Sequence, residues 1–130
     1  MKKYLIFLSI LLSINISCSD DNDKNDCIEN KLAYVTSVDS PSNGVINEII
    51  NIEVNFQVNN GCGEFGEFIE TRNGNVKIIV VKARYEGCMC TDNLPIRKVN
   101  YEFITQIPGN YELKFKSNET DFIIVNLLIE

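Results

Sequence analysis

A chain of 130 residues with 18 Asp and Glu against 12 Lys and Arg carries a net charge of −6. That balance repels phosphate backbones and offers anionic lipid no polybasic patch, which argues against nucleic acid as a partner. There is no His, so the commonest general base and the commonest metal ligand are missing.

Lys2 and Lys3 open the chain, and Tyr4 to Ile16 is almost wholly apolar. As a helix this run spans roughly 20 Å, short of a hydrocarbon core of roughly 30 Å. Residues 1–17 therefore read as the signal peptide of an exported protein. Asn15-Ile16-Ser17-Cys18 then resembles a lipobox, with Asn15 where that pattern usually has Leu. The resemblance implies a lipid on Cys18 and membrane attachment through its acyl chains. Lys2 and Lys3 leave with residues 1–17, so the net charge deepens from −6 to −8.

The acidic run Ser19-Asp20-Asp21-Asn22-Asp23 is similar to the surface-export signal of Bacteroidetes lipoproteins. It implies an outer-membrane, cell-surface position, with a periplasm-facing anchor as the alternative. Residues 18–31 lack apolar period and read as a lipidated acidic tether. Asp20, Asp21, Asp23 and Asp26 do not have the spacing of an EF-hand loop.

From Leu32 the chain reads as short strands between turn signals. Leu32 to Val38 runs into the turn cluster Ser40-Pro41-Ser42-Asn43-Gly44. Ile50, Ile52, Val54, Phe56 and Val58 alternate with polar residues, which puts every apolar side chain on one face. Glu64 to Arg72 is a weaker strand with Gly66 inside it, and Asn73-Gly74 suits a tight hairpin turn. In Asn75 to Tyr85 the apolar phase shifts from even to odd, which predicts a bulge or a change of sheet in that strand. Val99, Tyr101 and Phe103 mark the fifth strand, and Tyr111, Leu113 and Phe115 the sixth. Asp121 to Glu130 closes the chain, apolar on both faces apart from Asn126. Seven strands and no helical run predict an all-β sandwich over residues 32–130, with a closed barrel as the competing architecture.

Cys18 aside, four cysteines remain, an even number in an exported chain, which predicts disulfides. Cys27 precedes the first strand, Cys62 follows the second, and Cys88 and Cys90 follow the fourth. In an up-and-down run of strands these places share one pole. Cys88 and Cys90 are too close to pair with each other. Two bridges are expected: Cys27 with one member of Cys88 and Cys90, and Cys62 with the other. The competing reading is a copper or zinc site built from Cys62, Cys88, Met89 and Cys90.

Glu64, Glu67 and Glu70 recur every third residue and read as a solvated edge that discourages aggregation. Phe65, Phe68 and Tyr85 read as core, with an exposed aromatic patch as the alternative.

Pro108-Gly109-Asn110-Tyr111-Glu112-Leu113, a turn followed by Tyr at the start of the sixth strand, resembles the tyrosine corner of immunoglobulin-like and fibronectin type III domains. The antibody Cys and Trp pattern is absent, so the resemblance is to an Ig-like sandwich of seven strands. Taken whole, the chain resembles the small Ig-like surface lipoproteins of Bacteroidetes. The resemblance implies a non-catalytic module without cofactor that binds a protein or glycan, or an accessory part of an envelope assembly. A copper- or zinc-binding envelope protein using Cys62, Cys88 and Cys90 is the alternative.

Overall fold

A computed structural model describes residues 27–130; the signal-peptide segment, Cys18 and the acidic run to Asp26 lie outside the described residues. The described chain is all β. Its strands are β1 (Ile28–Asp39), β2 (Asn43–Gly44), β3 (Ile50–Gln57), β4 (Gly63–Asn73), β5 (Val76–Glu86), β6 (Ile96–Phe103), β7 (Gly109–Lys116) and β8 (Phe122–Ile129). The long strands are the seven expected; the eighth is a two-residue parallel bridge, Asn43–Gly44 against Leu128–Ile129, inside the predicted turn. The first strand begins at Ile28, so residues 28–31, expected as tether, pair instead with Ala83–Glu86 of β5.

Two layers face each other. The smaller holds the second half of β1 with β3 and β6. The larger runs β4, β5, β7, β8 and β2, and takes in the first half of β1 beside β5. β1 is thus the strand that crosses between sheets. Up to Ala33 it pairs with Val81 and beyond, and from Tyr34 it pairs with β3. Residues 76–79 of β5 are paired on that same edge by β7.

Compared with a constant-type immunoglobulin sandwich, the fourth long strand, β5, has joined the sheet of the third, sixth and seventh. It also runs parallel to β7, whereas immunoglobulin sheets are antiparallel. The layered sandwich and the corner before the sixth long strand match the expected architecture; the parallel pair is a departure within it.

The core fills the space between the sheets because each strand offers one apolar face. Ile50, Ile52, Val54 and Phe56 from β3 meet Ile79, Val81, Leu113, Phe115, Leu127 and Ile129 of the larger sheet, all buried. Rings of Phe56, Phe65, Phe68, Tyr101 and Phe115 form a chain of edge and tilted contacts, with neighbouring centroids 4.7–6.2 Å apart.

The expected phase break is absent from β5, where Ile79, Val81, Ala83 and Tyr85 all face the core. It lies in the hairpin partner. β4 has a bulge between Phe65 and Glu67, so inward positions change from odd (Gly63, Phe65) to even (Phe68, Glu70). Gly66 fits there because a Cβ would lie 2.8 Å from the Lys82 carbonyl oxygen. The even apolar residues of β5 occupy the outer face of the larger sheet instead.

Candidate functional site

The structure joins Cys27 to Cys88 and Cys62 to Cys90, with Cα separations of 5.0 and 5.4 Å. Both lie at one pole, because β1 and β4 start there while β3 and β5 end there. Local hydrogen bonds bring the sulfurs together. Gly87 N–H donates to the Cys27 carbonyl at 2.9 Å, and Gly61 N–H to the Thr91 carbonyl at 3.0 Å. Asn60 Oδ1 accepts from Cys62 N–H at 2.9 Å. This pairing leaves no thiolate at Cys62, Cys88 or Cys90, so a metal site there first requires reduction of the bridges. Met89 is 94% exposed between them. Among the described residues, no group of three or more His, Cys, Asp and Glu is placed to hold a metal.

The opposite pole gathers the β2–β3 connection, the β4–β5 turn and the β6–β7 loop. Tyr111 fixes the last of these. It is buried, and its hydroxyl donates to the Ile107 carbonyl at 2.6 Å and lies 2.8 Å from Thr105 Oγ1. That back-bond a few residues upstream is the geometry of a tyrosine corner. Asn47, with φ 62°, donates its N–H to the Thr105 carbonyl at 2.8 Å and ties the first loop to the last. On this frame stand four exposed aliphatic side chains: Val45, Ile49, Ile104 and Ile107. An open cleft of about 360 Å³ runs between Asn47, Arg72 and the 104–107 loop. Arg72, at the end of β4, holds its Nε–H on the Gly74 carbonyl at 2.9 Å.

The seam between β4 and β6, the open side of the sandwich, is fastened twice. Arg97 on β6 donates to the carbonyls of Gly63 (2.9 Å) and Gly61 (3.2 Å) and pairs with Glu64 at 3.3 Å. Nearer the loop pole, the Tyr101 hydroxyl donates to Glu70, whose other carboxylate oxygen lies 3.7 Å from Lys77 Nζ. Burial, the hydrogen bond to Glu70 and that carboxylate's charge together hold the Tyr101 phenol above its ordinary pKa. Glu67 pairs with Lys82 at 3.4 Å. The three regularly spaced acids thus sit on an edge strand, but the bulge sends Glu70 inward to a structural bond.

Phe65 and Phe68 pack partly buried against the core. Tyr85 is buried, with its hydroxyl accepting from Asn59 N–H at 2.8 Å. No aromatic patch forms from these three. Sequence reasoning missed Arg72, Arg97 and the loop aliphatics. No period marks a loop residue, and an arginine's partners are fixed only by how the sheets face.

Fold and site together define a disulfide-braced β-sandwich domain with a tyrosine corner. The chain belongs to the ORF11 beta-sandwich domain family, whose model matches residues 52–124. The match begins in β3 and ends in β8, and so takes in both poles but leaves out β1. No curated protein and no solved structure matches the chain.

Proposed function

We propose that this chain is an exported, lipid-anchored, non-catalytic module that offers the loops of one pole to a protein or glycan partner. The observation that carries the reading is the opposition of the two poles. Cys27, nine residues beyond the candidate lipid site Cys18, is bridged at one end of the sandwich, and the exposed aliphatic loops with Arg72 stand at the other. An anchor through Cys18 would hold the disulfide pole towards the membrane, roughly 30 Å away at full extension, and turn the loop pole outward. Exposed apolar side chains on loops held by a rigid scaffold are the usual material of a recognition surface. The disulfides support an oxidising compartment.

The test has two parts. Cys18→Ser in the full chain is expected to release the protein from membranes and to remove the acyl mass from its N-terminal peptide. Binding of the wild-type chain to arrayed glycans and to envelope proteins is expected to fall at least about tenfold in Ile104→Asp. A Cys18→Ser chain that stays membrane-bound with unchanged mass overturns the anchor. Binding indifferent to Ile104→Asp and Ile107→Asp overturns the loop pole as the site. Metal retained in stoichiometric amount by the reduced protein would instead favour the cysteine site at the other end.

A further inference from the structure

The two outer faces of the sandwich differ in kind. On the smaller sheet, Asn51, Glu53, Asn55, Lys98, Asn100 and Glu102 pair across β3 and β6 and form polar contacts. Asn100 bonds to Asn51 at 2.8 Å and Lys98 pairs with Glu53 at 3.1 Å. On the larger sheet apolar side chains stand among the charged ones at the outward positions. Ile69 pairs with Val80 across β4 and β5, and Phe122, Ile124 and Leu128 alternate outward along β8. Ile124 is 52% exposed and Leu128 42%. A solvated sheet face normally carries polar residues, and strands apolar on both faces belong to sheets covered on both faces.

We propose that a second copy of this chain covers this face, larger sheet against larger sheet about a two-fold axis. Charge argues for that occupant. By register the face carries Lys82, Arg84, Lys114 and Lys116 against Glu64, Glu67, Glu86 and Glu112, so it is electrically neutral. The acid excess of the chain, 18 against 12, lies entirely elsewhere. Acidic copies repel one another through their other surfaces, and this is where that repulsion vanishes. The signs also alternate along the face: Glu67–Lys82 at 3.4 Å, Glu112–Lys114 at 3.4 Å and Arg84–Glu86 at 3.8 Å. A two-fold axis can set each cation opposite an acid of the other copy. A strongly charged foreign partner finds no net field here to complement.

Area agrees. Four strands about 4.8 Å apart and eight residues long at about 3.3 Å each present roughly 500 Å². Two such faces bury about 1,000 Å², the size at which specific interfaces begin.

The experiment is sedimentation of the full chain, processed by its host and purified in a mild non-ionic detergent. The wild type is expected to sediment as two copies. Ile124→Glu and Leu128→Glu, both on exposed positions, are expected to weaken association at least about tenfold. Each should retain its β-sheet circular dichroism. Ile104→Glu at the loop pole is expected to leave the dimer intact. A wild type that remains a single copy at about 100 µM overturns the proposal and points to a different protein as the occupant. A dimer indifferent to both Ile124→Glu and Leu128→Glu overturns it equally.

Discussion

Tyr101 carries a hydroxyl into the seam between two sheets, where the fold makes its proton harder to remove. The phenol is buried and bonded to the Glu70 carboxylate, which together raise its pKa. Below the ordinary tyrosine value of about 10, native and unfolded chains both keep the proton. Above it the unfolded chain releases the proton first, so the bond's contribution is lost as pH rises past about 10. Tyr101→Phe is expected to cost about 1–2 kcal/mol at neutral pH. It should also flatten the fall in stability between about pH 10 and 11, read from urea midpoints of both chains; equal slopes would refute the assignment. Arg97 makes the second fastening through forked donors to two carbonyls and Glu64. A lysine there keeps the charge but not the fork. Arg97→Lys is therefore expected to lower stability by about 1 kcal/mol, an effect that high salt should barely alter if the carbonyl bonds dominate.

The bulge in β4 shows where sequence reading stops at the scale of elements. Gly66→Ala would push a Cβ to 2.8 Å from the Lys82 carbonyl oxygen, and backbone cannot yield as a side-chain tip can. The expected cost is about 1–3 kcal/mol, seen as a lower denaturation midpoint with unchanged m-value; a neutral effect would mean that the bulge relaxes freely. The strands themselves were legible because alternation is a direct image of burial: Ile50 to Phe56 reads inward on every second residue and is buried on every second residue. The bulge was legible only as a disturbance. Apolar residues at both parities in 76–85 pointed to a break in that strand, yet the outer-face residues Val76, Ile78 and Val80 are apolar for a different reason. The real signal was Phe65 and Phe68, three apart around Gly66, in an otherwise period-two strand. The crossing of β1 left no mark at all, because Ala33 and Val35 keep the same parity on both sides of it.

For the molecule as a whole, the four cysteines were placed at one pole by counting strands alone. Which partner each takes follows from geometry that the sequence does not carry: β1 runs beside β5 up to Glu86 and so delivers Cys27 to Cys88. The two bridges span 61 and 28 residues, and chain entropy assigns each about 4 kcal/mol, too alike to separate them. Their local consequences separate them instead. Cys62–Cys90 joins loops whose neighbouring strands are already held by side chains, buried in β3 and β5 and partly buried (Phe65, Phe68) in β4. Cys27–Cys88 sits at the free end of a half-strand in which Ile28 and Leu32 are exposed and Ala33 alone is buried. That half-strand keeps its place mainly through one ladder of backbone bonds and the bridge. Removing both sulfurs with Cys27→Ser and Cys88→Ser is therefore expected to free residues 28–33 while the sandwich stays folded, because sub-global opening follows local contact density. Hydrogen exchange would show those amides losing protection by at least about a hundredfold, with β3 and β7 falling only by the global loss of stability. The Cys62→Ser, Cys90→Ser chain should show no such local opening. Equal protection of residues 28–33 in the two double variants would mean that the ladder to β5 suffices, and that the bridge acts only on the unfolded chain. On the proposed reading the distinction matters mechanically: the lipid tether enters at Cys27, so this bridge is the joint through which any pull on the domain reaches the core.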